Sequence, residues 1–484
     1  MLKLYNSYSR ELEDFKPLHD KTVAMYSCGP TVYDYVHIGN LRSFLFADVL
    51  RRTLEHDGYT VKQIMNLTDV GHMLHDADTG DDKIEAAAAK EKTSPQAITA
   101  KYSEYFFATI KKLNIEPASE YPKASDNVAQ MIAIIKTLVE KGFAYQVDGD
   151  VYFDVKKFKK YGQLSGNTLD KLEAGARIDI NPKKKDPLDF ALWISNDQHV
   201  MSWESPWSAK GYPGWHIECS AMAMRYLGEM IDIHTGGEDN KFPHHECEIA
   251  QSECATGKQF AKYWIHSSFL LVDGQKMSKS LNNFYKIEDL IAKGFEPRDI
   301  RYALISSHYR EQQNFTFAAL GAAKSALAKI DNLAMRLAEG DRPLVNNEKG
   351  SAPFAKDTPV EQIIETAERD FYAAMDDDLN TPKALGALFI YARELNSALD
   401  GGISETLKKA ALRALKMMFT ETLGVVIEAS STIELDADLK KLISDREAAR
   451  LAKDFAHADA IRKELMEKGY VIEDGPQGAR LKKI

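Results

Sequence analysis

Four side chains of the types that bind zinc are spread over three separate segments of the chain. Cys28 ends a predicted strand, Cys219 lies in a predicted helix, and His244 and Glu248 are four residues apart in another helix, so they share one face of it. Two thiolates, one imidazole and one carboxylate suit zinc, a borderline-soft ion. The spacing is not that of a zinc finger, so the fold would have to assemble the site. The alternative is burial, with Cys28 as a small apolar side chain and His245 as a core histidine.

A further thiol competes for the fourth ligand position. Cys247 directly precedes Glu248, and neighbouring helix positions point about 100° apart, so the two side chains do not reach one ion together. Glu248 shares the face of His244 more closely than Cys247 does. We therefore predict Glu248 as the ligand and keep Cys247 as its rival.

Two other segments have residue types suited to nucleotide phosphates. Residues 37–40, His-Ile-Gly-Asn, fall between a predicted strand and a predicted helix, where free backbone N–H groups attract anions. Gly39 would let a nucleotide approach the backbone. Residues 276–280, Lys-Met-Ser-Lys-Ser, follow an Asp-Gly turn, and their lysines suit a loop that closes on polyphosphate. For residues 37–40, the alternative is that Asn40 only caps the helix and His37 has no special role. For residues 276–280, the alternative is an ordinary exposed basic turn.

The elements that must position these residues follow an α/β pattern. Strand, helix and strand within the first 70 residues indicate a βαβ unit and therefore a parallel sheet. A proline-interrupted stretch at about 115–210 resembles an insertion between two halves of that sheet. The pattern predicts strands at 22–28, 59–70, 229–237 and 263–272, and helices at 40–57, 82–113, 215–228 and from Pro243 onward.

The last third of the chain has a different character. From about residue 317, four amphipathic segments predict an up-and-down helical bundle, and a charged helical pair and a hairpin around Gly475 follow. We therefore predict three domains. They are a Rossmann-type α/β domain at 1–316, which includes the insertion and the region 262–316, a helical bundle at 317–432, and a small C-terminal module at 433–484.

Composition excludes several classes of protein. The 484 residues are 44% hydrophobic and 28% charged, typical of a globular chain of about two to four domains. No stretch approaches the roughly 18 apolar residues of a spanning helix, and no signal peptide opens the chain, so we expect a cytoplasmic protein without a membrane partner. Four cysteines are too few for a disulfide scaffold.

The net charge of −10 opposes non-specific nucleic-acid binding. RNA binding would need local basic patches, for which residues 111–112, 183–185 and 480–483 are candidates. Each of these patches is also typical of solvated surface.

Taken together, these segments resemble cysteinyl-tRNA synthetases. Residues 37–40 and 276–280 are similar to the paired ATP-binding motifs of class I aminoacyl-tRNA synthetases. The tail resembles that family's anticodon-binding tail. The segments that carry the resemblance run in order along nearly the whole chain, at residues 25–40, 214–222, 234–246, 274–283, 453–465 and 473–478.

The resemblance implies an ATP-dependent enzyme that ligates L-cysteine to tRNA(Cys) through a cysteinyl-adenylate. It also implies one zinc ion per subunit, magnesium bound with ATP, and a monomer. The zinc would select the cysteine thiol. The resemblance implies that the metal is bound by Cys28, Cys219, His244 and Glu248, and that cysteine is bound by Cys28, Thr68 and Trp215. It implies that ATP is bound by His37, Gly39, Asn40, Gly236, Gly237, Asp239 and Lys279, and that catalysis depends on His37, Asn40, Lys276 and Lys279. The anticodon would be bound by Phe455, Asp459 and Asp474.

Two features depart from the family pattern, Asn40 and the Cys247 thiol beside Glu248, and a polar extension at 71–82 is also unusual. The first ATP motif ends in Asn40, where the class usually has histidine, and asparagine donates a hydrogen bond without carrying charge. The polar extension 71–82 contains His72 and His75, for which we do not adopt a metal role.

Two rival functions remain open from the sequence. Ligases that join cysteine to an amino sugar resemble the catalytic part but would not need the terminal module. An inactive paralogue could bind RNA or hold zinc structurally, against which the intact residues 276–280 argue.

Overall fold

The computed structural model describes residues 1–70, 73, 82–167, 181–278, 281, 283–338, 359–429, 437–475 and 478–483, without the side chains of residue 437 and of residues 473–483. His72, His75 and Lys279 therefore lie outside the described residues. The same holds for residues 339–358. Asp474 is described by its backbone alone.

A four-stranded parallel sheet forms the centre of the first domain. Its strand order is β10-β9-β3-β4, and every neighbouring pair is parallel. Its strands are β3 (Thr22–Ser27), β4 (Thr60–Met65), β9 (Ile231–Gly237) and β10 (Ala261–Ser267). The chain leaves β3 toward β4 and leaves β9 toward β10, so the strand order reverses between β3 and β9. In open parallel sheets, ligands bind outside the carboxyl ends of the strands at such a point. The predicted α/β fold is confirmed.

Apolar side chains pack on both faces of this sheet, because successive strand residues point to opposite sides. On one face, Val23 and Met25 join a core with the helix α1 (Ile38–His56), which connects β3 to β4. On the other face, Tyr26 and Ile64 join a second core. The helices of that second core are α4 (Val128–Glu140), α5 (Trp215–Leu227) and α6 (His244–Thr256).

The insertion carries its own sheet, in which β5-β6-β7-β8 are antiparallel neighbours. The predicted helical stretch 82–113 is confirmed, but it is divided into two helices. Lys92 adopts a left-handed conformation with φ 55°, Ser94 caps the next helix, and Pro95 opens it. The elements are α2 (Lys83–Glu91), α3 (Pro95–Lys112), β5 (Ala144–Val147), β6 (Asp150–Phe153), β7 (Phe190–Ser195) and β8 (Gly211–Pro213).

The predicted strand 263–272 is likewise two strands. After β10 the chain passes Ser268 and Phe269, whose carbonyls accept hydrogen bonds from the Arg42 guanidinium at 2.7 and 2.9 Å. The chain then enters a separate sheet of order β12-β11-β13. The elements of this region are β11 (Leu270–Val272), β12 (Gln275–Lys276), β13 (Gln313–Phe315), α7 (Ile287–Ile291) and α8 (Pro297–Ile305).

The remaining elements follow the predicted pattern of amphipathic helices and a terminal hairpin. A π-helical turn at Met417–Thr422 closes the fourth bundle helix. Among the described residues, no helix combines the length and apolar character needed to cross a bilayer. The elements are β1 (Lys3–Asn6) and β2 (Glu11–Asp14) at the start, then α9 (Phe317–Ala338), α10 (Val360–Met375), α11 (Thr381–Gly401), α12 (Glu405–Lys416), α13 (Ala437–Leu451), α14 (Phe455–Glu467), β14 (Tyr470–Gly475) and β15 (Gly478–Lys483).

Candidate active site and metal centre

The four predicted metal ligands converge at the carboxyl ends of the central strands. Cys28 directly follows β3, Cys219 lies on α5, and His244 and Glu248 are the first and fifth residues of α6. One potential ligand atom from each side chain lies within 4.8 Å of the others. Cys28 is half-buried and the other three are buried. We call these four residues the metal cluster.

Two more histidines border the metal cluster and form an overlapping donor set with Cys28 and Glu248. His245 Nε2 lies 3.2 Å from the Cys28 sulfur, and His234 Nε2 lies 2.9 Å from Glu248 Oε2. From the sequence, His245 is expected only as a core histidine, and His234 is not singled out. The available signal for His234 was its place on the strand that ends in Gly236-Gly237.

The Glu248 carboxyl indicates that the metal cluster fits a cation. In the described part of the chain, Oε1 is buried and accepts no hydrogen bond, although His244 Nε2 lies 3.2 Å away. Burial raises the pKa of Glu248, and the neighbouring His234 lowers it in part. A buried carboxylate oxygen that accepts no hydrogen bond, 3.2 Å from an imidazole nitrogen and beside two thiols, is the arrangement expected around a divalent ion. The donor types are those of zinc.

Without a metal, the surroundings favour neutral forms of these groups. The hydrogen bond with Cys28 and burial raise the pKa of Cys219 well above its usual value. For Cys28 the hydrogen bond with Cys219 lowers the pKa, but burial and the carboxylates of Glu248 and Asp239 raise it, and the net shift is upward. Burial lowers the pKa of His245 well below its usual value. Metal ligation would therefore displace protons from the two thiols, and the neighbouring His245 is held in its neutral form.

The rival thiol of Cys247 lies elsewhere. Its sulfur is buried and 3.5 Å from the Tyr161 hydroxyl, and Cys247 belongs to neither donor set of the described residues. This position favours Glu248 as the ligand.

Besides Cys28, two further residues, Trp215 and Thr68, are predicted to line the cysteine pocket. Trp215 opens α5, and its ring centroid lies 4.5 Å from that of His244. Thr68 follows β4, is buried, and donates its hydroxyl to Glu218 at 3.0 Å. Glu218 directly precedes Cys219, so Thr68 is linked to the helix that carries a predicted ligand.

The first ATP motif forms the N-terminus of α1. His37 Nδ1 accepts hydrogen bonds from the backbone N–H groups of Gly39 at 3.1 Å and Asn40 at 3.4 Å. In return, Asn40 Oδ1 accepts from the backbone N–H of His37 at 3.2 Å. This reciprocal cap shows that the helix-capping interpretation of Asn40 holds, whatever further role it has toward ATP.

The two predicted ATP motifs lie against each other. A Cβ atom at Gly39 would come within 2.9 Å of Met277 Cε, so a larger residue there would displace the Met277 side chain. The Ile38 N–H donates to the Tyr285 carbonyl at 3.0 Å, and the His37 ring lies 4.6 Å from that of Phe284. Lys276 ends β12 and is exposed. The segment on either side of Lys279 is thus at the helix N-terminus.

Gly236, Gly237 and Asp239 lie at the end of β9, next to the metal cluster. A Cβ at Gly236 would come within 2.7 Å of the His245 ring. The Gly237 N–H donates to Asn240 Oδ1 at 2.9 Å, and Asp239 is near enough to raise the pKa of Cys28. These three residues thus lie where a parallel sheet presents its carboxyl ends to a ligand.

The predicted anticodon residues are on the C-terminal elements. Phe455 is 63% exposed at the start of α14, and Asp459, also exposed, is four residues later on the same helix face. Asp474 lies in β14. An exposed aromatic beside a carboxylate is a combination that can stack on and hydrogen-bond to unpaired bases.

Two of the candidate basic patches are partly neutralised by acids. Lys183 pairs with Asp150 at 2.7 Å, and Lys112 pairs with Glu288 at 2.9 Å. These contacts favour the surface interpretation for both patches.

Three family models match successive parts of the chain. The model for the catalytic domain of class I (C) tRNA synthetases matches residues 14–325. A DALR domain model matches residues 370–428, and the cysteinyl-tRNA ligase anticodon binding domain matches residues 432–480.

Complete proteins agree with these models. The cysteine–tRNA ligase of Chlorobium chlorochromatii is 43% identical over 489 residues, covering 99% of this chain and 98% of that protein. That of Clostridioides difficile is 42% identical over 483 residues and covers 100% of both. Among solved structures, Mycobacterium tuberculosis methionyl-tRNA synthetase in complex with methionyl-adenylate shares the fold, with a TM-score of 0.62 at 15% identity over 84% of this chain and 92% of that one. The chain therefore belongs to the cysteine–tRNA ligases, a family of class I aminoacyl-tRNA synthetases.

Proposed function

We propose that this cysteine–tRNA ligase activates L-cysteine as cysteinyl-adenylate and selects it with one zinc ion held by the metal cluster. The observation that carries the proposal is the convergence of the four ligand atoms within 4.8 Å at the sheet edge where α1 presents its N-terminus. A site for a sulfur-seeking ion thus borders a site for phosphate.

Selection is the chemistry that zinc supplies when bound, since it prefers a thiolate to the hydroxyl of serine as a ligand. The pocket needs a group that distinguishes sulfur from oxygen, because apolar contacts discriminate poorly between side chains of equal shape. Trp215, beside His244, would cover the small side chain and exclude water. Cys28 and Thr68 would line the other walls of the pocket.

Activation requires the cysteine carboxylate and the α-phosphorus of ATP to be held in line, with the phosphate charge neutralised. His37 and the N-terminus of α1 would bind phosphate, with Gly39 and Asn40 shaping that turn. Lys276 and Lys279 would bring positive charge, together with magnesium carried by ATP.

Gly236, Gly237 and Asp239 would bind the nucleotide at the end of β9. Gly236 and Gly237 would let a nucleotide approach the backbone there. Asp239 can accept hydrogen bonds from nucleotide hydroxyl groups.

The acceptor in the second step would be tRNA(Cys). The matched anticodon-binding model at residues 432–480 supports this over an amino-sugar acceptor. Phe455 would stack on an anticodon base, and Asp459 and Asp474 would accept hydrogen bonds from base amino groups. We propose domains at 1–316, 317–432 and 433–484, in a cytoplasmic monomer.

The test combines metal analysis with pyrophosphate exchange driven by cysteine or by serine, before and after chelation. We expect one zinc per chain and strong preference for cysteine. Loss of exchange on chelation should be reversed by added zinc. A chain that activates cysteine at full rate without metal would overturn the zinc part of the proposal, and a chain that activates neither amino acid would overturn the whole.

A further inference from the structure

Arg42 is a buried cation that bonds two separate segments of the chain to α1. It lies in the second turn of that helix, just after the first predicted ATP motif, and is 3% exposed. Nη1 donates to the Ser268 and Phe269 carbonyls at 2.7 and 2.9 Å, and Nη2 donates to the His308 and Glu311 carbonyls at 3.1 and 2.6 Å. All four terminal N–H groups of the guanidinium therefore have backbone acceptors, and its planar fork fixes the two segments relative to each other.

The two segments that Arg42 holds are the ends of the region that carries the second predicted ATP motif. Residues 268–269 precede β11 and β12, the second of which ends at Lys276, and residues 308–311 precede β13. β11 and β13 pair in parallel, and the Ser268 N–H donates to the Tyr309 carbonyl at 2.7 Å. Arg42 thus anchors both ends of the small sheet β12-β11-β13 to the helix that begins at the first motif.

Ser268 connects the same point to the third predicted nucleotide segment, at the end of β9. Its hydroxyl donates to Glu238 Oε2 at 2.8 Å, and Glu238 directly precedes Asp239. Beside it, the hydroxyl groups of Ser267 and Ser43 lie 2.7 Å apart, so a second pair of side chains joins the end of β10 to α1. These contacts therefore link all three predicted ATP segments to one another.

We propose that Arg42 and Ser268 are positioning residues for adenylate formation, which hold the N-terminus of α1, the strand that ends in Lys276 and the end of β9 in one arrangement. The inference rests on the proposed function, because it takes these three segments as the ATP site. Activation requires reacting groups in line, and a misplacement of about 1 Å caused far from the chemistry can cost roughly 100-fold in rate. Arg42, which is buried, acts on the rate only through the segments that it holds.

The test is Arg42→Lys, which keeps a positive charge on a long side chain but has one nitrogen with three donors, too few for four carbonyls. Cysteine-dependent pyrophosphate exchange gives kcat and the KM values for cysteine and ATP. We expect kcat to fall by about 10- to 100-fold. The KM for cysteine and the zinc content should change by less than about twofold, because the metal cluster lies at the end of β3 and on α5 and α6.

The matched control is Arg52→Lys, about three turns later on the same helix. Arg52 is also buried and also donates to backbone carbonyls, those of Glu421 at 3.0 Å and Asn114 at 2.9 Å. Both variants should lower the resistance to urea, but Arg52→Lys should keep the kcat of the unaltered protein. An arginine that only stabilised the fold would give the same kinetic result at both positions.

The inference is overturned if Arg42→Lys keeps the kcat of the unaltered protein, or if Arg52→Lys loses as much kcat as Arg42→Lys does. Should Arg42→Lys fail to fold, Ser268→Ala replaces it, since it removes the hydroxyl contact with Glu238 and keeps the carbonyl that Arg42 holds. This variant should lower kcat by about threefold or more with the KM for cysteine unchanged, and an unchanged kcat would overturn the inference equally.

The unaltered protein tests the proposed function by itself, since it must exchange pyrophosphate in response to cysteine. If it does and the Arg42 and Ser268 variants behave like Arg52→Lys, only the inference fails. If it does not, the proposed function fails and the inference fails with it.

Discussion

Two buried polar regions of the molecule differ in how their groups are paired. The first, which we call the arginine joint, consists of Asp48, Arg52 and Arg301. Arg301 is 1% exposed and donates to Asp48 and to the carbonyls of Leu423, Leu113 and Asn114 at 2.8–3.0 Å. Arg52 pairs with the same Asp48 at 2.9 Å and reaches the Glu421 carbonyl at 3.0 Å. The joint ties α1 to the end of the helical bundle.

The metal cluster is buried to a similar depth, but its pairing is incomplete. Glu248 Oε1 and His234 Nδ1 are buried without hydrogen-bond partners in the described part of the chain. Unpaired buried polar groups are costly. The arginine joint is thus paired within the protein, whereas the unpaired Glu248 oxygen is the kind of group that a bound cation would complete. The following substitutions test that difference.

Of all the substitutions, Cys219→Ala should have the largest effect on zinc binding and cysteine activation. Loss of this thiol should remove zinc and lower cysteine activation by on the order of 100-fold or more, while stability falls by only about 1 kcal/mol. Zinc content, pyrophosphate exchange and urea unfolding measure the three quantities.

The matched control is Cys247→Ala, which removes a buried thiol on α6 that points toward Tyr161. It should keep zinc and activity. If Cys247→Ala loses zinc and Cys219→Ala does not, the ligand assignment is wrong.

The largest expected effect on stability comes from Arg301→Leu. Removing one partner of a buried charge network typically costs about 3–5 kcal/mol, because Asp48 and three carbonyls lose a donor. Zinc content should not change in the folded protein. Urea unfolding of both forms, with zinc analysis, provides the measurement.

Arg298→Leu, one turn earlier on α8, is the control for Arg301. Its guanidinium pairs with Asp331 at 2.9 Å and is more exposed, so the loss should be clearly smaller. If both variants lose the same free energy of unfolding, Arg301 contributes no more to stability than Arg298 does.

Gly424→Ala should strain the same joint from the other side. Gly424 has φ +64°, and a Cβ there would lie 2.1 Å from Arg301 Nη2. The left-handed conformation alone costs an L-residue about 1–2 kcal/mol, and displacement of Arg301 adds to it. Gly257→Ala is the control, since Gly257 is also left-handed but has nothing within 4 Å. If both variants lose the same stability, the contact with Arg301 contributes nothing.

The metal cluster and the arginine joint also differ in how far the sequence predicts them. The family, the parallel sheet and the convergence of Cys28, Cys219, His244 and Glu248 followed from residue types, helix spacing and the motif segments. The roles of these residues stay predictions. The break between α2 and α3 was missed although Ser94-Pro95, a cap followed by a first-turn proline, signalled it.

Other features depend on contacts between distant segments and leave no local pattern. Arg301 meets Asp48 across 253 positions, and Thr68 meets Glu218 across 150. Nothing near Arg301 in sequence distinguishes it from Arg298. His234 shows the same limit, since a single histidine in an apolar strand is also typical of a core position.

The smallest expected effect is at Asp57, which ends α1 close to the bundle. Burial, and then the charge of Asp376, raise the pKa of Asp57 to about 6, so its ionised form is less favourable in the folded than in the unfolded chain. Asp57→Asn should therefore raise the unfolding temperature at pH 8, and the gain should shrink as pH falls through 6 and vanish near pH 4, where the unfolded carboxyl is also protonated. Solvent at this exposed residue keeps the gain small. Thermal unfolding at pH 8, 6 and 4 measures this increase in the unfolding temperature.

The control for Asp57 is Asp197→Asn, on the exposed part of the insertion. An increase in unfolding temperature that grows toward pH 4, or one that Asp197→Asn reproduces, would contradict the assignment of a raised pKa to Asp57.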